Sequence, residues 1–347
     1  MEPAMRRSRF VFALGLIAPA LAAAAPHYAV TQRYAIGQAG GWDYLAYSAD
    51  GHRLYISRSD RVLVVDADNG KVEATIPGTD GVHGIALVPA LGHGYTSNGR
   101  ADTLTEFDLA TSKPLRTIAV EGKNPDALIY DAASKHLFAF DGHSNEANVI
   151  DPVAGKLVTK IPLPGKPEFA ASDEAGNVYA NIEDTAQLAR IDSTTNKVMA
   201  VWKLAGCEEP SGLAIDIAHH RLFSVCQNKH MAVTDAQTGK SVATVAIGEG
   251  PDAAGFDATR GLVFSTNGHD GTLTVVHEDD PDHYSVIANV PTEKSARTLA
   301  LDTQGNRLFT VAAKFGPRPA PTKENPHPWP AVVEGSFTVL VVGERKP

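Results

Sequence analysis

Along most of the chain, short runs of apolar and β-branched residues alternate with polar turns, and no stretch carries the spacing of an amphipathic helix. One phrase recurs: an apolar strand ending in Asp, a polar turn, then a β-branched strand. It reads Val62-Leu63-Val64-Val65-Asp66, Leu104-Thr105-Glu106-Phe107-Asp108, Val149-Ile150-Asp151, Ala189-Arg190-Ile191-Asp192 and Ala232-Val233-Thr234-Asp235, with His277 in the Asp place of a sixth copy. The spacings are 42, 43, 41, 43 and 42 residues. A seventh copy, Phe337 to Gly343, follows after an insertion. Ahead of each phrase stands an aromatic-bearing strand, as in Arg53-Leu54-Tyr55-Ile56, His136-Leu137-Phe138-Ala139 and Arg307-Leu308-Phe309-Thr310. Each unit therefore holds four short strands, A to D, and a repeat of this period reads as a propeller blade.

The expected fold is all-β: a seven-bladed β-propeller of four-stranded antiparallel blades. The seventh unit stops after strand C. Tyr34-Ala35-Ile36-Gly37 reads like the end of a strand D, Val245-Ala246-Ile247-Gly248. The N-terminal strand is thus expected to supply the outer strand of the last blade and close the ring. Residues 1–24 read as a signal peptide, with Arg6, Arg7 and Arg9 before an apolar Phe10–Leu21 and small residues Ala22–Ala25. Residues 25–347 then form one propeller domain in the periplasm or outside the cell, and no later apolar run is long enough to span a membrane.

Composition sharpens this picture. Thirty Gly and 22 Pro make the chain turn-rich. The net charge of −9 becomes −11 once three Arg and one Glu leave with the signal peptide, and no basic run exists, so nucleic acid is not an expected partner. Cys207 lies before strand A of the fifth unit and Cys226 ends its strand B. In an oxidising compartment they read as a disulfide closing a loop of about 20 residues.

Propeller chemistry sits where the D–A and B–C loops open around the channel, the top face. The residues entering strand A are Asp43, His83, Asp126, Glu168, Ser211, Asp252 and Arg297. With four carboxylates, this mouth is expected to be negative and to attract a cation or a positively charged ligand. The B–C loops add His143 and His269, pointing to Asp126–His143 and Asp252–His269 as neighbours. The Pro-rich loop 312–331 carries Phe315 and Trp329 and is either a lid or docking segment, or a loop packed across its own blade. The His219-His220 pair reads as a solvated turn. No nucleophile elbow, zinc-protease helix, phosphate loop or haem motif occurs.

Val233-Thr234-Asp235-Ala236-Gln237-Thr238-Gly239-Lys240, Asn267-Gly268-His269-Asp270-Gly271-Thr272-Leu273-Thr274-Val275 and the tail from Pro319 through Gly343 carry a family likeness. The mature chain resembles the YncE-like, YVTN-repeat propellers of bacterial envelopes. The resemblance implies the fold and an envelope setting and assigns no reaction. The expected function is a non-catalytic binding or scaffolding module, a monomer, using the strand A ring and loop 312–331 to take an unidentified small molecule or envelope protein. No cofactor is expected, and whether the ring holds a divalent cation stays open. The alternative is a metal-assisted, lactonase-like hydrolase in which Asp43, His83, Asp126, Glu168 and Asp252 are ligands or base and Arg297 stabilises an oxyanion. No lactonase residue pattern is matched.

Overall fold

The computed structural model describes residues 27–323, 328 and 330–345. The expected signal peptide and Trp329 lie outside the described residues. Seven four-stranded antiparallel sheets make up the ring. Blade 1 comprises Leu45–Ser48, Arg53–Arg58, Arg61–Asp66 and Val72–Pro77, from the channel outward, and the next five blades repeat that order. In blade 7 the order is Leu299–Asp302, Arg307–Ala312, Thr338–Glu344 and then Tyr28–Ala35. The N-terminal strand is thus the outermost strand of the last blade, paired Tyr28↔Glu344 through Ala35↔Thr338. Ring closure follows as expected, and the strand extends further upstream than Tyr34.

Burial explains the sequence rhythm. Second and third strands are covered on both faces and read as continuous apolar runs, such as Leu54-Tyr55-Ile56 and Val62 to Val65, all at most 1% exposed. Outer strands have one wet face, and Lys156–Pro162 alternates accordingly. The apolar core is divided among the junctions between blades. Leu54, Ile56 and Leu63 of blade 1 meet Phe309, Val311 and Val339 of blade 7, and each of the other six junctions has its own cluster. The Asp closing the third strand in blades 1 to 5 accepts backbone N–H groups of the following turn, as Asp151 does from Val153 and Ala154, so that series is structural.

Cys207 and Cys226 form the expected disulfide, with Cα atoms 5.4 Å apart, at the top edge of blade 5. Part of the insertion is anchored: Phe315 bridges Val332 and stacks on Trp42 with ring centroids 5.7 Å apart. It therefore lies along the seam between blades 7 and 1, rather than across its own blade alone. Among the described residues no helix is long and apolar enough to cross a membrane.

Candidate functional site

The seven ring residues do converge on the top mouth. His83, Asp126, Glu168, Ser211 and Asp252 are second residues of their inner strands, while Asp43 and Arg297 stand two residues before theirs. Blades 2 to 6 show a register irregularity at this point, for example between Pro125 and Leu128 and between Pro167 and Ala170. Such a bulge re-aims side chains. It turns consecutive residues toward the channel. Neighbouring inner strands also approach closely here, and a Cβ on Gly84 would strike the Asp126 carbonyl and Leu128. Side chains from second strands then fix the mouth: the Ser57 hydroxyl accepts from Asp43 N at 3.1 Å, and Asn181 Nδ2 donates to the Ser211 and Gly212 carbonyls at 2.9 and 3.1 Å.

The carboxylates of the expected ring do not stand alone but are paired with its His and Arg and with a lysine, which tempers the negative potential expected of four acids. Arg297 pairs with Asp252, and its other terminal nitrogen lies 3.4 Å from Asp43 and donates to the Trp42 carbonyl at 3.0 Å. Ser211 Oγ donates to Asp252 at 2.9 Å. His83 Nδ1 is 2.6 Å from Asp43 Oδ2 and 3.9 Å from Asp126 Oδ1. Lys166 Nζ lies 2.7 Å from Glu168 and also pairs with Glu183. Burial pushes the Asp43 carboxyl up, but Arg297 and His83 outweigh it and hold the group below its usual range. Burial likewise opposes the His83 cation, yet the hydrogen bond to Asp43 and the Asp126 charge raise its pKa to about 9.

Asp126 and Glu168 are left with the weakest compensation. Burial, then repulsion from Asp43, raises Asp126 to about 6. Burial and the Asp126 charge raise Glu168 to about 8, against Lys166. Near neutral pH these two hold or release a proton readily, and an incoming cationic group would favour release. Beneath them, Tyr44 from blade 1 stacks on Phe169 from blade 4 across the channel, with centroids 4.4 Å apart. The Tyr44 hydroxyl is buried without a hydrogen-bond partner. Burial and the charges of Asp126, Asp43, Glu168 and Asp252 push its pKa well up, so it stays a neutral donor facing the carboxylates.

At the mouth, over the loops of blades 1 to 3, opens a cavity of about 910 Å³, lined by Asp43, His83, Arg100, Asp102, Lys123, His143 and Arg297 among others. Both charge signs meet there: Lys123 pairs with Asp102 at 2.7 Å on its wall, and Arg100 with Asp80 at 2.8 Å. The expected pairs do not form. Asp126 is nearest His83 rather than His143, which joins the cavity wall beside Asp102. Asp252 is taken by Arg297 and Ser211, while His269 stands over Gly250 near Glu249. The sequence reading placed Glu183 on a top-face B–C loop and missed Tyr44, Phe169 and Lys166. Lys166, two residues before Glu168, carried the single local hint.

No protein-family model matches the chain. It is 27% identical over 202 residues to "Uncharacterized protein YncE" of Salmonella typhimurium, a match covering 56% of each chain, and equally to the protein of that name from Salmonella typhi. The matched segment is thus little more than half the length of these curated relatives. Among solved structures, it superimposes on a chain of Kuenenia stuttgartiensis hydrazine synthase with a TM-score of 0.68 at 17% identity, covering 79% of this chain and 93% of that one. The WD40 repeats of RRP9 give 0.75 at 11% identity, covering 92% and 99%. These likenesses concern the fold alone. The chain is a closed seven-bladed β-propeller with similarity to YncE over 56% of its length.

Proposed function

We propose that this chain is an exported, non-catalytic binding propeller of the cell envelope, acting as a monomer, whose top-face cup takes a small polar ligand bearing charges of both signs. One observation carries the reading: at the channel mouth Arg297, His83 and Lys123 share a cavity large enough for a small molecule with Asp43 and Asp102, and Asp126 stands behind it, 3.9 Å from His83. A purely cationic ligand meets Arg297 and protonated His83; a purely anionic one meets the carboxylates. A dipolar ligand satisfies both, its ammonium toward Asp126 and Glu168 and its acceptor group toward Arg297 and Lys123. The disulfide and the N-terminal sequence support export, and the net charge of −9 opposes a nucleic-acid partner.

Thermal-shift titration of the mature chain tests this with amino acids and dipeptides as probes, and polyamines and dicarboxylates as single-sign controls. Some dipolar probe is expected to raise Tm, more at pH 8 than at pH 5.5 because binding needs ionised Asp126 and Glu168. Arg297→Met is expected to cut the response at least tenfold in probe concentration. Equal or greater stabilisation by polyamines would overturn the reading.

A second reading, metal-assisted hydrolysis, is favoured by the donor atoms of Asp43, His83 and Asp126 lying within 4.8 Å of one another. Against it, the Arg297 guanidinium already stands 3.4 Å from Asp43, so an ion would enter beside a fixed positive charge. Lactone or ester turnover lost in His83→Ala would select this reading over the first.

A further inference from the structure

On the opposite face, where blades 5 and 6 meet, three departures from the repeat converge. The first is Glu278, one residue beyond the end of the repeating phrase. Earlier blades place Ala67, Leu109, Pro152, Ser193 and Ala236 there, and Glu278 is a carboxylate only 8% exposed. The second is His219, in the A–B turn position that Ser134, Arg260 and Gly305 occupy in blades 3, 6 and 7. The third is the neutralisation of Asp216, the acid closing the inner strand. In blade 7 Arg307 donates to the equivalent Asp302 at 2.8 Å. In blade 5 the corresponding Arg221 instead turns to Asp235 at 2.9 Å and Asp282 at 3.0 Å.

The junction between blades 6 and 7 is an internal template for what results. There Arg260 bridges Asp257 at 2.9 Å and Glu344 at 3.6 Å, and Tyr28 donates to Glu344 at 2.9 Å. Between blades 5 and 6, His219 replaces the guanidinium, with Nδ1 at 2.6 Å from Asp216 and 3.5 Å from Glu278. Tyr284 occupies the place of Tyr28, opposite Glu278 in register. Its single hydroxyl proton serves the Pro281 carbonyl at 2.8 Å, ahead of Glu278 at 3.3 Å. Glu278 is therefore a nine-tenths buried carboxylate whose donor Tyr284 is shared with the Pro281 carbonyl, facing a second buried carboxylate and one imidazole. The half-exposed His219 leaves a path from solvent.

We propose that Asp216, His219 and Glu278 form a binding site for one divalent transition-metal cation of the zinc type. Their donor atoms lie within 4.8 Å of one another, so an ion at about 2.0–2.2 Å from each needs side-chain shifts of the order of an ångström. A nitrogen and two carboxylate oxygens suit Zn²⁺, and solvent supplies the fourth ligand on the His219 side. Tyr284, beside Glu278, then orients a ligating carboxylate. The His219-His220 turn is exposed as expected, and the His219 ring nitrogen is in addition held by Asp216.

The test is titration of the chelator-stripped mature chain with Zn²⁺ against a chromophoric competitor, with Co²⁺ as spectroscopic probe. One tight equivalent is expected, with a Co²⁺ visible band of tetrahedral intensity. His219→Ala and the isosteric Glu278→Gln are each expected to weaken it at least tenfold, while His52→Ala, at an exposed His–Asp pair in blade 1, leaves it unchanged. Melting curves of both variants establish that they fold. Absence of a tight equivalent overturns the proposal. So does an equivalent that survives both substitutions, or one lost only in His83→Ala, which would place the ion at the top mouth.

Discussion

Deleting residues 27–36 from the mature chain is expected to lower Tm by about 10–20 °C and to make the protein prone to aggregation. The strand Tyr28–Ala35 covers the third strand of blade 7 along seven residue pairs, and Tyr28 is buried against Phe264 of blade 6. Losing Tyr28 and the partly buried Val30 removes roughly 1.5–3 kcal/mol of apolar burial for each large side chain. It also uncovers a flat, apolar edge running from Val339 to Val342. Together these amount to about 5 kcal/mol, a large part of the total stability of an ordinary protein, and about 2–4 °C per kcal/mol gives the stated shift. A peptide of residues 27–36 added in trans is expected to recover part of the loss by strand addition. A deletion variant melting within about 2 °C of the parent would mean that the strand is not what closes the ring.

Replacing Asp141 by Asn is expected to stabilise the protein at neutral pH and to flatten its stability–pH profile. Asp141 is fully buried at the end of the second strand of blade 3, where blades 2 and 6 carry the buried Asn98 and Asn267. Burial raises its pKa to about 7, against the hydrogen bond from Asn148, and Oδ1 has no partner. The folded state therefore holds a proton that the unfolded chain releases near pH 4. Stability from this group is full below about pH 4 and is lost as pH rises to about 7, by about 1.4 kcal/mol per unit and about 4 kcal/mol in all. Asn reproduces the protonated shape without the ionisation. Denaturant unfolding at pH 4 and pH 7.5 checks this: the two proteins should differ little at the lower pH, and the variant should be more stable by a few kcal/mol at the higher. Parallel profiles would show that Asp141 is ionised at no cost in the folded protein.

The fold was legible because a propeller writes itself locally. Each blade is one hairpin-connected segment, so its period appears in the chain, and the strand A ring follows from counting within each unit. The disulfide was legible for the same reason, with both cysteines at one edge of a single blade. What could not be read joins residues far apart in sequence. Tyr44 and Phe169 stack across the channel from blades 1 and 4. Arg297 closes a network with Asp43 and Asp252 that spans the seam between the last blade and the first. The ring's members, Arg297 and His83 included, were therefore legible, but which carboxylate each cation pairs with was not. Glu278 left a trace that a stricter comparison of the repeats would have caught, a charge where five other units place Ala, Leu, Pro or Ser.

Native mass spectrometry of the chain, purified from its producing cells without denaturant and compared with Arg297→Met, tests the binding account most directly. The account predicts a monomer carrying one small molecule of dipolar character, absent from the variant while its melting curve stays cooperative. A bare monomer in both proteins, with lactone or ester turnover by the wild-type chain, would contradict it.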